Sequence, residues 1–421
     1  MPLIGQFTPP GDKSLSHRLI LFALVARGEM LVSGLSDCDD VMTSLSIFRE
    51  LGGRAEKERG GTRVYGLDRQ IDPKKSFDLY CGNSGTTMRL ISGLLAGIPG
   101  EYILDGDVQL RRRPMERVAE PLRQMGARVE TLAGKPPVKI YGTELSPIDY
   151  NMKDSSAQLK GAVLLAGFSA KSGPTTVTER SLTRTHTERL IDYFGGHMVS
   201  EHLRHSVWPG TLNLRESFST PSDPSCAAFF LTTAAMLPES SVTACNMLMA
   251  QGRTGFLRVL DRMGASVRLT MTSDTPEPTG DVTVEYQGPL KATEIPADDV
   301  PALIDEIPIL ALAATQAEGT TVFRKVDELR IKETDRLMSI RHQLGALGAR
   351  VWIQGDDLYI QGPTSFIIPE SLDSGKDHRL AMTLTLALLI ARARTPILGV
   401  ESISVSYPEF DSDLKLLWRD E

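Results

Sequence analysis

The sequence has few cysteines and no long apolar run. Its four cysteines form no C-x-x-C pair, which argues against a structural zinc site or a disulfide framework. The most apolar run, residues 380–391, is a dozen residues long, whereas a bilayer-spanning helix needs about 20. A charged and then apolar leader is missing from the first residues as well. We therefore expect a cytoplasmic protein with no membrane partner.

Positive charge is also in short supply. The 46 lysines and arginines are outnumbered by 53 aspartates and glutamates, which gives a net charge of −7. A nucleic-acid-binding protein usually carries a basic face, so we expect no nucleic-acid partner. The sequence has neither a G-x-S-x-G elbow nor a Rossmann glycine fingerprint, so no motif supports a serine hydrolase or a dehydrogenase. The histidines show no metal-ligand spacing, and we predict no metal site.

Residues 9–18, PPGDKSLSHR, look like a phosphate-binding loop with the wrong spacing. A nucleotide-binding P-loop has a glycine directly before its lysine, whereas Asp12 separates Gly11 from Lys13. This spacing disfavours an ATP site. In an acidic chain, however, an anionic ligand has to be met by a local cluster of cations, and this segment provides one.

Two helix patterns recur along the 421 residues. A helix that is apolar all round and precedes a β-rich strand occurs six times, in SHRLILFALVARG, TTMRLISGLLAG, AQLKGAVLLAG, CAAFFLTTAAML, EIPILALAATQAEG and DHRLAMTLTLALLIARA. An amphipathic helix that ends in glycine before a strand occurs five times, in LSIFRELGGRAE, VAEPLRQMGARVE, TERLIDYFGGHMV, FLRVLDRMGASVRL and IRHQLGALGARVWI. The apolar helices must be buried, with the amphipathic helices and sheets covering them. We expect the glycines to adopt the left-handed conformation that ends a helix.

Six repeats of this size divide naturally into two domains of three. We predict an α/β fold with an N-terminal domain of residues 13–221 and a C-terminal domain of residues 1–12 and 222–421. The hinge would lie near residues 10–13 and 220–223, where STPSDPSCAAF carries two prolines before the fourth apolar helix. Because each domain can complete its own core, we expect a monomer.

Polar residues and cations precede the apolar helices. The glycines, serines and aspartates there are ordinary helix caps, but parallel buried helices would also direct their free N–H groups and positive dipole ends at an anion. For any single arginine, a solvated surface position is the alternative. Recurrence at the same place in the repeat favours a binding site formed by Lys13, Arg18, Arg89, Arg111, Arg112, Arg113, Arg184, Lys332, Arg336 and Arg379.

Two carboxylates stand among these cations. Asp305, in LIDEIPILA, precedes a strongly apolar helix, and its alternative role is that of a helix cap. Glu333, in KETDR, lies three residues before Arg336, and its alternative role is an ion pair on one helical face. An acid among cations suits proton transfer if burial offsets the effect of the cations on its pKa.

Seven motifs resemble the enolpyruvyl transferase family and, within it, the branch that acts on shikimate 3-phosphate. They are PGDKSLSHR, GNSGTTMRL, RRRPMERV, SSAQLKGAVLLAG, LIDEIPILA, ELRIKETDRL and DHRLAM, in the family's order over nearly the whole chain. The resemblance implies an inside-out α/β fold, with two domains of three βαβαββ-type units each and buried parallel helices. It also implies transfer of the carboxyvinyl group of phosphoenolpyruvate to the 5-hydroxyl of shikimate 3-phosphate, without a metal or organic cofactor, on the route to chorismate and the aromatic amino acids.

The same resemblance implies roles for individual residues. Asp305 would accept the proton of the 5-hydroxyl, Glu333 would transfer a proton at the methylene carbon, and Lys13 would lie between the two ligands. Phosphoenolpyruvate would be held by Lys13, Gly85, Arg113, Arg336 and Arg379. Shikimate 3-phosphate would be held by Lys13, Ser14, Arg18, Ser156, Gln158, Arg184, Asp305 and Lys332. The N-terminal domain would be the shikimate 3-phosphate side, and the C-terminal domain the phosphoenolpyruvate side.

Two positions distinguish this chain within the family. Some members carry a lysine before the C-terminal aromatic-Pro-acid-aromatic motif, where this chain has Val405 and Ser406, so that contact to phosphoenolpyruvate is missing. Gly85 stands where glyphosate-tolerant members often carry alanine, so we expect sensitivity to that inhibitor. Two alternatives stay open: a non-catalytic anion-binding scaffold, and the sister enzyme acting on UDP-N-acetylglucosamine, whose loop cysteine has no counterpart in GDVQLRRRP.

Overall fold

The computed structural model describes residues 2–418. The α-helices in this range are α1 (Lys13–Phe22), α2 (Asp39–Glu50), α3 (Gly85–Ala96), α4 (Glu116–Gln124), α5 (Ala157–Gly167), α6 (His186–Tyr193), α7 (Pro224–Met236), α8 (Gly255–Arg262), α9 (Ile307–Gln316), α10 (Arg336–Ala346), α11 (His378–Ile390) and α12 (Phe410–Leu417). Short 3-10 helices span Leu110–Arg112, Val300–Ala302, Asp327–Ile331 and Val400–Val405.

The strands follow the same order along the chain. They are β1 (Ile4–Phe7), β2 (Ala26–Arg27), β3 (Glu29–Ser33), β4 (Arg54–Glu58), β5 (Gly61–Tyr65), β6 (Ser76–Tyr80), β7 (Gly100–Asp105), β8 (Arg128–Leu132), β9 (Lys135–Gly142), β10 (Asp149–Asn151), β11 (Thr175–Thr178), β12 (Met198–Glu201), β13 (Arg204–Val207), β14 (Leu212–Asn213), β15 (Ser217–Ser219), β16 (Ser241–Leu248), β17 (Ser266–Ser273), β18 (Thr279–Glu285), β19 (Glu294–Ile295), β20 (Gly319–Phe323), β21 (Arg350–Gln354), β22 (Asp357–Gly362), β23 (Leu372–Asp373) and β24 (Ile397–Leu398).

The chain divides into two compact units. The central unit consists of residues 11–220, and the split unit consists of residues 1–10 and 221–421. The chain therefore passes from one unit to the other at residues 10–11 and again at residues 220–221. The predicted hinge movement, and the predicted substrate of each domain, stay predictions.

The central unit contains three βαβαββ units. Their sheets have the strand orders β15-β3-β5-β4, β6-β7-β9-β8 and β10-β11-β13-β12. In each sheet the first two strands are parallel, and the hairpin that follows the outer helix adds two antiparallel strands. Helices α1, α3 and α5 are buried along almost their whole length, as the apolar pattern predicted, and they form the core of the unit.

The split unit repeats this arrangement with one difference. Two sheets have the orders β1-β16-β18-β17 and β19-β20-β22-β21, and helices α7, α9 and α11 are buried. In the described residues the sixth sheet is only the parallel pair β23-β24, because the 3-10 helix Val400–Val405 and α12 follow β24 in place of a hairpin. The sixth unit is thus shorter than the predicted pattern.

One sheet in each unit takes its first strand from a distant part of the chain. In the split unit β1 pairs in parallel with β16, and Ile4 lies opposite Ser241. In the central unit β15 pairs in parallel with β3, and Ser217 lies opposite Leu31. In the other four-stranded sheets, by contrast, the two parallel strands are joined through a single buried helix, as in β6-α3-β7.

The glycine predicted at the end of each amphipathic helix is confirmed in all five repeats. Each of these glycines has a positive φ, a conformation that costs glycine little because it lacks a Cβ. The five are Gly52 (+98°), Gly126 (+99°), Gly195 (+82°), Gly264 (+94°) and Gly348 (+88°). Each one ends an outer helix and lets the chain reverse directly into the next strand.

Two exclusions drawn from the sequence can be compared with the structure. No disulfide links the four cysteines, and burial raises the pKa of the Cys38 and Cys81 thiols, which makes them poor nucleophiles. Among the helices of residues 2–418, none has both the length and the apolar composition that crossing a bilayer requires.

Candidate active site

Five of the six buried helices, all within residues 2–418, begin at a side-chain cap. In each case the side-chain oxygen accepts a hydrogen bond from a backbone N–H of the first turn. The capping residues are Asp12, Ser84, Ser156, Asp223 and Asp377. The helix-cap interpretation is therefore confirmed for these five. The predicted cations lie beside several of the same helix ends, so capping and anion binding can coexist there.

The first predicted cations lie on α1 of the central unit. Lys13 is the first residue of the helix, and its Nζ lies 3.0 Å from Oδ2 of Asp40 at the start of α2. Both side chains keep a little exposure, 17% and 13%. The Lys13 ammonium is thus held in place by a carboxylate and is still open to a ligand.

Arg18, one turn further along α1, connects that helix to α6. Its Nε donates to Thr187 Oγ1 at 2.9 Å, and its Nη1 donates to the Ser14 carbonyl at 2.9 Å. Arg184, in the loop before α6, donates from Nη1 to Ser14 Oγ at 3.4 Å. The structure therefore brings together three of the residues predicted for shikimate 3-phosphate: Ser14, Arg18 and Arg184.

A second cation pair lies at the start of α3. Gly85 is the first residue of that helix, and a Cβ added to it would lie 2.9 Å from Arg89 Nη1 and 3.0 Å from Arg113 Nη1. Arg113 is buried, and its Nη2 donates to Asn83 Oδ1 at 2.7 Å. The missing side chain at Gly85 thus leaves a helix N-terminus directly beside two guanidinium groups.

Gln158 links α3 to α5. Its Oε1 accepts from Arg89 Nη1 at 2.5 Å, and its Nε2 donates to Thr86 Oγ1 at 2.8 Å. Ser156, the cap of α5, accepts from the backbone N–H of Leu159 at 3.3 Å. The predicted pair Ser156 and Gln158 therefore lies on the first turn of α5, close to the Gly85 site.

His17 connects α1 to α3 through hydroxyl groups. Its Nδ1 lies 2.8 Å from Ser44 Oγ, which lies 2.7 Å from Thr87 Oγ1. Burial, together with the positive charges of Lys13 and Arg18, holds the pKa of His17 well below its ordinary value of 6.5. His17 is therefore a neutral hydrogen-bonding residue.

In the split unit, Asp305 lies among three cations. Its carboxylate is 3.3 Å from Lys332 Nζ, 3.7 Å from Arg336 Nη1 and 4.0 Å from Arg379 Nη2. The Asp305 side chain is 16% exposed, so a ligand can reach it. It does not cap α9, whose N-cap is Glu306. The alternative role as a helix cap is therefore wrong for Asp305.

Arg336 is the most buried of these cations. Its guanidinium donates to Asp377 over 2.8 and 3.2 Å and to Glu333 over 2.5 Å. Burial alone would lower the pKa of Arg336, but the carboxylates of Asp377, Glu333 and Asp305 outweigh that effect and raise it. Arg336 thus keeps a fixed positive charge in the interior.

Glu333 forms the expected pair with Arg336 but not on a shared helical face. Helix α10 begins at Arg336 with Asp335 as its cap, so Glu333 lies in the turn before the helix. This corrects the prediction of a helical i,i+3 pair. The Glu333 side chain is 19% exposed, which leaves it accessible for proton transfer.

The sequence analysis did not predict a buried series of polar contacts that begins at Glu306, the residue after Asp305. Glu306 Oε1 accepts from Ser225 Oγ at 2.5 Å and lies 3.8 Å from Arg379 Nη1. Arg253 Nη2 in turn donates to Asp223 at 2.7 Å and to Ser225 at 3.3 Å. Arg253 could have been found from the repeats, because Arg113, Arg184 and Lys332 occupy the corresponding loop before an outer helix.

One group within residues 2–418 has the composition of a metal site. Glu179, Glu188 and His205 offer three buried ligand atoms within 4.8 Å of one another. The Nζ of Lys160 lies 2.7 Å from Glu179 Oε1 and 2.5 Å from Glu188 Oε1. An ammonium therefore already neutralises the carboxylates where a cation would bind.

Comparison with known proteins distinguishes between the two branches of the enolpyruvyl transferases that the sequence left open. Residues 1–414 match the model of EPSP synthase (3-phosphoshikimate 1-carboxyvinyltransferase). This chain belongs to the EPSP synthase family. The predicted resemblance to the enolpyruvyl transferases is confirmed, and the branch acting on UDP-N-acetylglucosamine is not favoured.

Individual members of the EPSP synthase family resemble the chain over almost its whole length. The 3-phosphoshikimate 1-carboxyvinyltransferase of Synechococcus sp. strain RCC307 is 44% identical over 430 residues, covering 99% of this chain and 97% of that protein. The enzyme of the same name from Bacillus licheniformis is 40% identical over 421 residues, covering 99% and 97%. The names of these relatives support the same enzyme class, carboxyvinyltransferase, for this member of the family.

Solved structures confirm the α/β fold. The EPSP synthase from Acinetobacter baumannii aligns with a TM-score of 0.85 at 36% identity, covering 99% of this chain and 96% of that chain. The enolpyruvyl transferase NikO from Streptomyces tendae aligns with a TM-score of 0.77 at 19% identity, covering 99% and 95%. At that identity the second likeness concerns the fold alone.

Proposed function

We propose that this member of the EPSP synthase family transfers the carboxyvinyl group of phosphoenolpyruvate to the 5-hydroxyl of shikimate 3-phosphate and releases phosphate. The family match and the names of its relatives support this reaction. The observation that carries the proposal is the partly exposed Asp305 carboxylate among Lys332, Arg336 and Arg379. That arrangement combines a proton acceptor with cations that can hold an anionic substrate.

The central unit supplies the residues proposed to hold shikimate 3-phosphate. Its phosphate would be met by cations at the N-terminus of α1 and in the loop before α6, since the helix N–H groups and guanidinium donors both favour an anion. The proposed residues are Lys13, Ser14, Arg18, Ser156, Gln158 and Arg184. Gly85 and Arg113 would meet phosphoenolpyruvate, because the open backbone at Gly85 lets an anion approach the guanidinium groups beside it.

The split unit supplies the residues proposed for proton transfer. Asp305 would take the proton of the 5-hydroxyl as that oxygen attacks C2 of phosphoenolpyruvate, and Lys332 would also contact shikimate 3-phosphate. Glu333 would deliver a proton to the methylene carbon C3, which makes C2 electrophilic. Arg336 and Arg379 would hold the carboxylate and phosphate of phosphoenolpyruvate.

The proposed reaction then runs in two balanced stages. Addition forms the C2–O bond and a C3–H bond and gives a tetrahedral intermediate that carries both phosphate and the shikimate oxygen. Elimination breaks the C2–O bond to phosphate and returns the C3 proton to Glu333, which restores the double bond in the product, while the proton that Asp305 took from the hydroxyl leaves with phosphate, so both carboxyl groups return to their starting states. Fixed cations stabilise the negative charge throughout without reorganising, which is the main source of electrostatic catalysis.

The test is phosphate release by the purified chain with both substrates present. We expect release that requires both substrates and that falls at least about 100-fold in Asp305→Ala and Glu333→Ala, the range typical of a lost acid or base. Asp298→Asn, an exposed acid in the segment before Asp305, is the matched control and should stay active. Absence of release from folded wild-type protein would leave a non-catalytic anion-binding scaffold.

The proposed partners are two small molecules, and we propose that the chain works as a cytoplasmic monomer. Each compact unit has its own buried helices and sheets, so neither needs a second copy to complete its core. Light scattering coupled to gel filtration would measure the mass directly. A dimer mass at micromolar concentration would refute the monomer.

A further inference from the structure

A cluster of four buried titratable side chains lies within the central unit, behind the proposed shikimate 3-phosphate residues. The buried ion cluster consists of Lys160 on α5, Glu179 after β11, Glu188 on α6 and His205 on β13. Lys160 Nζ lies 2.7 Å from Glu179 and 2.5 Å from Glu188, and His205 Nε2 lies 2.9 Å from Glu179. None of the four side chains is more than 4% exposed.

The buried ion cluster is directly connected to the proposed substrate loop. The second oxygen of Glu179 accepts from the Thr183 hydroxyl and, at 3.2 Å, from the Thr183 backbone N–H. Thr183 precedes Arg184, and Glu188 follows Thr187, which accepts the hydrogen bond of Arg18. The segment 179–188 is therefore tied to the cluster at both ends, and the residues between carry the proposed ligand contacts.

Lys160 connects segment 179–188 to α5. Lys160 lies one turn after Ser156 and two residues after Gln158, both proposed to bind shikimate 3-phosphate. Burial alone would raise the pKa of Glu179, but the hydrogen bond from His205 and the charge of Lys160 outweigh it and hold that pKa below its usual range. A single ammonium thus fixes the first turn of α5 relative to the segment that carries Arg184.

Buried ion pairs add little to stability compared with apolar packing, because both charges lose their water. Their attested use is to hold elements in one arrangement. We propose that Lys160, through Glu179 and Glu188, is a positioning residue for shikimate 3-phosphate, setting Arg184 and Thr187 against the first turn of α5. The inference rests on the proposed function and concerns only the central unit.

The experiment compares substrate binding in wild-type protein and in Lys160→Met, which keeps the unbranched apolar stem, shortens the side chain by one heavy atom and removes the charge. Calorimetric titration with shikimate 3-phosphate alone measures Kd, and phosphate release measures kcat and both KM values. We expect Kd and KM for shikimate 3-phosphate to rise about 10- to 100-fold, the effect of displacing binding groups by about 1 Å. The KM for phosphoenolpyruvate should stay within about twofold, since Gly85 and Arg113 lie outside segment 179–188, and Arg336 and Arg379 lie in the other unit.

A second variant separates positioning from general stability. Adding Glu188→Gln to Lys160→Met removes one of the two carboxylates that the single change leaves uncompensated, so we expect the free energy of unfolding to recover in part. The Kd for shikimate 3-phosphate should stay raised, because no ammonium joins α5 to segment 179–188. If Lys160→Met does not fold, Thr183→Val replaces it, because valine keeps the volume and removes only the hydroxyl that Glu179 accepts from. A rise in Kd of about threefold or more is expected there.

Two results would overturn the inference. One is a Kd for shikimate 3-phosphate in Lys160→Met, or in Thr183→Val where that variant is needed, that stays within twofold of wild type. The other is an equal loss of both substrates in proportion to unfolded protein. Absence of binding to wild-type protein would instead refute the proposed function and the inference with it, so the two failures are distinguishable.

Discussion

Arg336 offers a prediction whose size can be worked from the structure. Its side chain is 1% exposed, and it makes two hydrogen bonds to Asp377, whose side chain is 0% exposed. Replacing it with methionine leaves Asp377 buried without its cation. Breaking a buried ion pair from one side costs about 3–5 kcal/mol. Glu333 also loses its ion pair, but it is 19% exposed and water can solvate it, so it adds less to the loss of stability.

A double substitution isolates the electrostatic part of this cost. Asp377 also caps α11, but asparagine caps a helix about as well as aspartate does. Adding Asp377→Asn to Arg336→Met therefore removes the orphaned charge and keeps the cap. We expect the double variant to regain about 2 kcal/mol or more of the loss, as coupled neighbours do.

The assay is urea denaturation followed by circular dichroism, with hydrogen exchange of α10 and α11 to localise the change. Arg341→Met, an exposed position on the same helix, is the matched control and should shift the free energy of unfolding by less than about 0.5 kcal/mol. Both Arg336 variants should lose phosphate release. A cost below about 1 kcal/mol for Arg336→Met, or a double variant no more stable than the single one, would refute the reasoning.

Three further predictions concern the central unit. Because the folded state keeps His17 neutral, the unfolded state binds the proton first as the pH falls through 6.5. Wild-type protein should therefore lose up to about 1.4 kcal/mol more stability than His17→Asn between pH 7.5 and 5.5, and equal losses would contradict this. Gly85→Ala should raise the KM for phosphoenolpyruvate and weaken inhibition by glyphosate in steady-state assays, because its methyl group would lie 3.0 Å from Arg113 Nη1; unchanged values would count against the site. Gly11→Ala should cost about 1–3 kcal/mol in urea denaturation, because a Cβ there would overlap the Gly34 carbonyl oxygen, and a neutral result would show that the backbone adapts.

Much of the fold could be predicted because its signals are local. A buried helix is apolar all round, an outer helix is apolar on one side, and each pattern is complete within about a dozen residues. The caps at Asp12, Ser84 and Ser156 act within one helical turn. The glycine ends depend on the backbone of one residue. These features therefore recur visibly in the sequence.

The site was less predictable because it depends on contacts between distant segments. Asp305 and Glu306 are neighbours in the sequence, yet the first faces three cations with some exposure and the second is buried against Ser225. Of the three consecutive arginines that end at Arg113, only Arg113 is buried, and Arg111 pairs at the surface. Composition and spacing do not distinguish such neighbours, whereas their burial in the folded chain does. The family resemblance had selected Asp305 and Arg113 without that information.

The pairing of β1 with β16 has a consequence for how the protein is made. The backbone N–H of Leu3 donates to Ser240, which lies 237 residues further along the chain. At the usual pace of about 5–20 residues per second, a ribosome needs roughly 10 to 50 s to supply that partner. The intervening residues 11–220 form a complete unit of their own and can fold during that time. β1 is thus synthesised well before β16, the strand with which it pairs, and until then its edge is available to chaperones and to other nascent chains.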